Sequence, residues 1–256
     1  MPSVLLPGLD ATTWQQAEGP GPAAVSWARG RLAGHDVVAA VWDFAVMGGT
    51  FGERDATAWV DACGAAERAR VPLIAVTSSG GTRVQEGIPG LAGMARATIA
   101  RERLSAAGVP VIAVVGQPTA GGVWVTVGSR ADVRIAVRHA TVGFAGPRVV
   151  EAVTGVHVGD DSHTAESALA AGLVDVVVAA EGVEAIVVRL LSTLSAEAAD
   201  VEGLARSGAP AVVGDRDPWA TVESARRPRR WSAGSLLAGL VSDAVPRAAP
   251  HGDTTA

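Results

Sequence analysis

One stretch, from Val71 to Trp124, limits what the chain can become, because two short apolar runs in it each end in a glycine-rich turn. Val71 to Thr77 is rich in β-branched residues and is bounded by Pro72 and the Gly80-Gly81 pair, a pattern that favours a buried strand over a helix. It empties into Ser78-Ser79-Gly80-Gly81-Thr82-Arg83-Val84-Gln85-Glu86-Gly87. Leu91 to Ala107 follows as a crossover helix, with Leu91, Met94, Thr98 and Leu104 near one face and Gly108 and Pro110 as its stop. A second strand, Val109 to Val115, leads into Gln117-Pro118-Thr119-Ala120-Gly121-Gly122-Val123-Trp124. Strand, helix and strand in so short a span make a parallel pair with a right-handed crossover. Both glycine turns are therefore expected at the same edge of one sheet.

Main-chain N–H groups in a Gly-Gly turn at a helix start lack internal acceptors and lie beside the positive end of the helix dipole. Two such turns side by side can hold one developing negative oxygen. Donors of this kind are what an enzyme needs to make an enolate from a thioester, and losing one costs roughly 3 to 4 kcal/mol. The competing explanation is that these glycines only let strands turn tightly into helices. Gly80, Gly81, Gly121 and Gly122 are the candidate catalytic donors.

Three stretches then carry a family resemblance. Ser79-Gly80-Gly81-Thr82-Arg83-Val84-Gln85-Glu86-Gly87 resembles the SGGxRxQEG motif of biotin-dependent carboxyltransferases. Met47-Gly48-Gly49-Thr50-Phe51-Gly52-Glu53 is similar to their MGGSxGE motif, and Phe144-Ala145-Gly146-Pro147-Arg148-Val149-Val150-Glu151 to their FAGPRVIE motif. The resemblance runs in register from about Arg29 to Leu194 and is strongest to the β subunits of bacterial acetyl-CoA carboxylase, in the crotonase superfamily. It implies an α/β fold, a single crotonase-like β-β-α spiral domain with a C-terminal extension. Gly48, Gly49, Ala120, Phe144, Gly146 and Pro147 match positions that border the acyl-CoA site in that family.

One absence excludes several chemistries: the sequence contains no lysine. A Walker A phosphate loop, a Schiff-base nucleophile and lysine-linked pyridoxal phosphate are therefore ruled out. So is biotin attached to this chain, and the resemblance implies that biotin arrives on a separate carrier. The single Cys63 rules out an internal disulfide and a cysteine-rich zinc site; the zinc ribbon that often precedes the β-subunit core has no counterpart among these residues. The histidines lack metal-ligand spacing, so no metal is expected. A net charge of -5, with no basic run interleaved with aromatics, gives no nucleic-acid footprint. No apolar run approaches the ~20 residues of a membrane helix, and the start lacks a signal-peptide pattern, so a cytoplasmic protein is expected.

The length of 256 residues fits one α/β domain with extensions. Residues 1–22 read as an irregular arm, 23–196 as the crotonase-like carboxyltransferase domain, and 197–256 as a linker and partner-contacting tail. Ala23 to Arg31 and Asp36 to Asp43 alternate like two strands joined at Gly34-His35-Asp36. Arg54 to Arg70 is expected to be a helix with Asp55 as N-cap and Trp59, Cys63, Ala66 and Ala69 on one face. Arg83 and Glu86, three apart, form either an exposed local pair or one that shapes the pocket. Gly143, Gly146 and Pro147 make a turn, and Asp160-Asp161-Ser162-His163 precedes a short helix capped by Ser162. A triad reading of Ser162 and His163 fails, since adjacent loop residues seldom align for it and no G-x-S-x-G elbow exists. Val183, Ile186, Val187, Leu190, Leu191 and Leu194 form a helical stripe that closes the core.

The tail from Asp217 to Pro228 resembles the W-x-x-V-x-x-A-R-H-P segment that leads into the α half of carboxyltransferases, with Arg227 in place of the histidine. Arg226, Arg227, Arg229 and Arg230 could meet coenzyme A phosphates, face a partner or be solvated. In the mechanism that the resemblance implies, carboxybiotin releases carbon dioxide, the biotin nitrogen takes the α proton of the thioester, and the enolate attacks the carbon dioxide. The implied partners are a carboxyltransferase α-type subunit, a biotin carboxyl carrier protein and an acyl-CoA, in a hetero-oligomer such as α2β2. Two other readings stay open: a biotin-independent malonate decarboxylase subunit and a non-catalytic assembly partner.

Overall fold

The computed structural model describes residues 4–159, 161–195 and Trp219. Eight strands among the described residues share one sheet: β1 (Leu9–Asp10), β2 (Val25–Leu32), β3 (His35–Trp42), β4 (Leu73–Ser79), β5 (Val111–Ala120), β6 (Val133–Val137), β7 (Val142–Gly143) and β8 (Val176–Val178). Their order is β1-β2-β3-β4-β5-β6-β8, with β7 paired to β5. The first three strands are antiparallel neighbours, and every pairing from β3 onward is parallel.

The β2–β3 hairpin closes through Ala33 and Gly34, both at positive φ, as a two-residue hairpin turn requires. From β3 the chain crosses over by α1 (Glu53–Ala69) to β4, and from β4 by α2 (Ile88–Ala106) to β5. The central strands are apolar on both faces: Ile74, Ala75, Ile112, Ala113 and Val114 are all fully buried. Such near-continuous runs belong to parallel strands covered on both sides.

Helix α1 buries Trp59, Cys63 and Ala66 as expected from their spacing, with Ala62 beside them, while Ala69 at its end is half-buried. Trp59 packs against Trp42 at 5.8 Å between ring centroids, Trp42 stacks on Phe51 at 6.0 Å, and the Trp59 indole donates to Ala97 O at 3.2 Å. Helix α2 is rotated from the face read in the sequence. Its buried stripe is Gly90, Gly93, Ala97, Ala100, Arg101 and Leu104, whereas Leu91 is 64% exposed. Small residues win that face because α1 and α2 lie close: a Cβ on Gly93 would stand 2.9 Å from the Ala56 Cβ.

Burial also pushes the Cys63 thiol well above its ordinary range. Cys63 is expected to resist a maleimide in the native protein at pH 8 and to react fully in denaturant at the same pH, read by mass spectrometry.

The arm is more ordered than the sequence suggests. Leu9–Asp10 adds an edge strand to β2, Gln15 bridges to Trp27, and Leu6 and Ala17 are buried. Arg54 holds it by donating to Ala17 O at 3.0 Å, and Glu184 of α6 (Val183–Ser195) accepts from Gly8 N at 2.7 Å. Helix α6 buries Val183, Val187, Leu190 and Leu191 and leaves Leu194 at its exposed end. The linker and tail expected for 197–256, with the Arg226 to Arg230 cluster, lie outside the described residues apart from Trp219, which is helical and exposed. No helix among the described residues is long and apolar enough to cross a membrane.

Candidate functional site

The parallel register of β4 and β5, with Ser79 opposite Thr119, brings their two exits to the same edge of the sheet. Beyond them the glycine turns touch. A Cβ on Gly81 would lie 3.3 Å from the Gly121 Cα, and one on Gly121 would lie 3.0 Å from the Gly81 Cα, with both residues at positive φ. A side chain at either position would be strained by its φ and crowded against main chain, so glycine lets the two backbones meet directly.

A third turn joins them. Met47–Gly49 after β3 is a single 3-10 turn, and Gly48 O accepts from Gly80 N at 2.9 Å. Gly49 has its Cα against the backbone at the end of β4, where a Cβ would fall 2.0 Å from Ser78 O. Phe51 and Thr82 then bridge in parallel, through Phe51 N to Gly81 O at 2.8 Å and Arg83 N to Phe51 O at 2.9 Å. On the other side β7 pairs with the end of β5, Ala120 opposite Gly143, and Phe144 O approaches the Gly121 Cβ position at 3.8 Å.

Gly48, Gly49, Gly80, Gly81, Ala120, Gly121, Gly122 and Phe144 are thus gathered at one place. Gly146 and Pro147 stand further along, as N-cap and first residue of α4 (Pro147–Thr154), so the expected turn becomes a helix start with Pro at a position that suits it. Phe144 is 73% exposed, and Val149 and Val153 of α4 are exposed as well.

The donors divide in a way that the sequence does not reveal. Gly80 N donates to Gly48 O at 2.9 Å and Gly81 N to Ser79 Oγ at 3.0 Å, so both amides have internal acceptors and serve the turn itself. This narrows the expectation that all four glycines supply donors. Gly121 and Gly122 open α3 (Gly121–Val123), with Ala120 as N-cap, in the first turn of a helix where amides have no intrahelical acceptor. The helix continues as a π-helical turn, Trp124–Gly128, a winding often found at functional sites. Thr126 Oγ1 donates to Gly122 O at 2.7 Å and so fixes the peptide that follows the turn.

Beneath the turns lies a buried ionic hub. Arg83 is 1% exposed and Asp55 is 0% exposed, and they pair at 2.7 Å. Arg83 also donates to Pro22 O and Glu86 Oε1, each at 3.0 Å, and to Thr50 O. Asp55 Oδ1 accepts from Ala24 N at 2.6 Å and Val25 N at 2.9 Å, and its Oδ2 from Gly52 N at 2.9 Å. Glu86 accepts from Glu53 N at 2.6 Å with its other oxygen. Asp55 is therefore not the N-cap of α1; Gly52 is, and Asp55 sits at N3 with its side chain turned back onto β2. The Arg83–Glu86 pair is buried at its arginine end because Thr50 and Pro22 close over it.

Two clefts flank this ensemble. One, of about 610 Å³, runs between the arm, the start of α1 and the Val84–Glu86 turn. The other, of about 510 Å³, is lined by Phe144, Ala145, Ser162, His163, Ala168 and Leu173, among others. Gly121 and Gly122 line neither cleft and are half-buried. In the second cleft Ser162 Oγ lies 2.7 Å from His163 Nδ1. The helix α5 (Ala165–Ala170) is capped by Thr164, whose Oγ1 accepts from Ser167 N at 3.0 Å, and not by Ser162.

Known proteins resemble this chain. Residues 10–223 match the family model of the carboxyl transferase domain. The chain is 41% identical over 183 residues to the acetyl-coenzyme A carboxylase carboxyl transferase subunit beta of Chelativorans sp., covering 72% of this chain and 60% of that protein. It is 39% identical over 208 residues to the beta/alpha protein of the same enzyme from Salinispora tropica, covering 78% and 37%. The chain thus spans 60% and 37% of the length of these two relatives. Among solved structures it resembles transcarboxylase 12S with methylmalonyl-coenzyme A bound, at 31% identity and a TM-score of 0.64 over 72% of this chain and 39% of that one. It also resembles the Pseudomonas malonate decarboxylase MdcD-MdcE hetero-dimer, at 27% identity and a TM-score of 0.63 over 75% and 83%. With its crotonase-like α/β sheet and glycine turns at the strand exits, this chain belongs to the carboxyl transferase domain family.

Proposed function

We propose that this chain is the β-type half of a biotin-dependent carboxyltransferase and transfers carboxylate from carboxybiotin to an acyl-CoA. Acetyl-CoA, giving malonyl-CoA, is the acceptor, a reading supported by the names of the relatives. The observation that carries the proposal is the direct contact of the Gly81 and Gly121 main chains at the joined exits of β4 and β5. That contact leaves Gly121 and Gly122 at a helix start, where amide donors suit the oxygen of a thioester enolate.

The cradle suits such a group: main chain meets main chain at Gly81 and Gly121, and Phe144 and Ala145 line the neighbouring cleft. The carboxylated biotin of a carrier protein supplies the carbon dioxide and the base for the α proton. This chain binds the thioester, holds its oxygen through Gly121 and Gly122, and keeps that turn rigid through Gly48, Gly49, Gly80 and Gly81. No side chain of the chain has to act as base.

The name of the beta/alpha relative, whose length this chain covers only in part, supports a site completed by an α-type subunit. The test is malonyl-CoA formation from acetyl-CoA and carboxybiotin, with and without that partner. Turnover is expected only with the partner, and full turnover by the chain alone would refute the division. The likeness to a malonate decarboxylase hetero-dimer favours a second reading, a decarboxylase subunit acting on a carrier-bound thioester. Release of carbon dioxide from malonyl thioester without any biotin would identify it.

A further inference from the structure

Thr82 is the residue of the first glycine turn that none of the roles above uses. Its Cβ points its two branches in different directions: the methyl approaches Gly90 of α2, 3.9 Å from that residue's Cβ position, while Oγ1 lies only 2.3 Å from the Cβ position of Gly122. The hydroxyl thus occupies the space that a side chain at Gly122 would need, against the Cα of the proposed oxyanion donor. Thr82 is half-buried, and its hydroxyl forms no hydrogen bond with another described residue. Its oxygen is also not among the fully enclosed polar atoms that lack a partner. A hydroxyl that reaches solvent beside a helix start, with both neighbouring amides of its own turn already engaged, has a proton to give to whatever binds there.

We infer that the Thr82 hydroxyl is a third donor to the thioester oxygen, a side-chain catalytic residue beside the main-chain donors. This rests on the proposed function. Its parallel bridge to Phe51, and the anchoring of Arg83 next to it, hold Thr82 on a backbone fixed at both ends, so the hydroxyl needs only a rotation about one bond to aim. A donor of this kind acts where charge grows on the oxygen and therefore raises kcat more than it lowers KM.

The deciding comparison is Thr82→Ser against Thr82→Ala in the complex with the α-type partner, because both lack the methyl and differ only in the hydroxyl. T82S is expected to exceed T82A in kcat by about ten-fold, the size of one neutral hydrogen bond, with KM for acetyl-CoA alike in the two. A coenzyme A thioether ending in a nitronate, whose oxygens stay negative, is expected to bind T82S more tightly than T82A, while coenzyme A itself does not distinguish them. Equal kcat and equal nitronate affinity for the two variants, in a complex whose wild type turns over, overturn the role of the hydroxyl and leave the functional reading intact. A wild-type complex without carboxyl transfer overturns both.

Discussion

Replacing Asp55 with alanine is expected to remove about 3–5 kcal/mol of folding stability, the range for breaking a buried ion pair at one partner. The change takes away four interactions at once: the pair with Arg83 and the acceptors of Ala24 N, Val25 N and Gly52 N. It also leaves a guanidinium that is 1% exposed without its full counter-charge. Water cannot replace the lost oxygens without opening the seam between β2 and the start of α1. For a chain of this size the thermal midpoint should fall on the order of 10 °C. Differential scanning calorimetry of D55A measures it, and a midpoint within a degree or two of the wild type would show that the hub contributes little. The double variant D55L/R83M, which removes both charges together, should regain part of the loss, because an apolar pair of similar volume does not carry the desolvation penalty.

A Gly122→Pro exchange is expected to lower kcat for carboxyl transfer by about 10² to 10³, the effect of deleting one oxyanion donor. Proline removes the N–H at the second position of α3, and its ring atoms enter the space now bounded by Thr82 Oγ1 and Met94 Sδ. Met94 is only half-buried, so a Met94→Ala background relieves its share of the crowding. The closer contact with Thr82 Oγ1 stays, and comparing G122P with Gly122→Ala, which meets the same atoms and keeps the N–H, separates crowding from loss of the donor. Assembly with the α-type partner, followed by size-exclusion chromatography, should be unchanged, since Gly122 lies at the site and not in the core. A variant that assembles and still turns over near the wild-type rate would remove Gly122 from the chemistry. A variant that assembles and is inactive would exclude a purely structural role for the chain.

The parts of this molecule that were legible in the sequence are those fixed by local pattern. The β2–β3 hairpin, the crossover from β4 through α2 to β5 and the stripe of α6 follow from alternation, β-branched runs and helical spacing, and all three are present. The meeting of the glycine turns was legible too, because parallel strands joined by a helix must end at one edge. Long-range contacts decided what was not. Asp55 reads as an N-cap from its neighbours, yet its partners are Ala24, Val25 and Arg83, distant in sequence. Arg83 and Glu86 read as a local pair because nothing in their spacing shows that Thr50 and Pro22 cover them. Leu91 looks like a core residue until the close crossing of α1 and α2 selects glycine and alanine for the interface and turns it outward. Likewise, which glycine amides are free depends on acceptors such as Gly48 O and Ser79 Oγ that only the assembled turns bring near.

The anchoring of Arg83 to Pro22, Thr50, Asp55 and Glu86 has a kinetic corollary. A loop stapled from below on four sides cannot behave as a swinging flap, so a substrate meets a surface already in its working shape and spends no affinity on ordering it. In the proposed function, shielding of the carbanion from water would then fall to the partner that docks opposite, and the pace of catalysis would follow the coming and going of that second body.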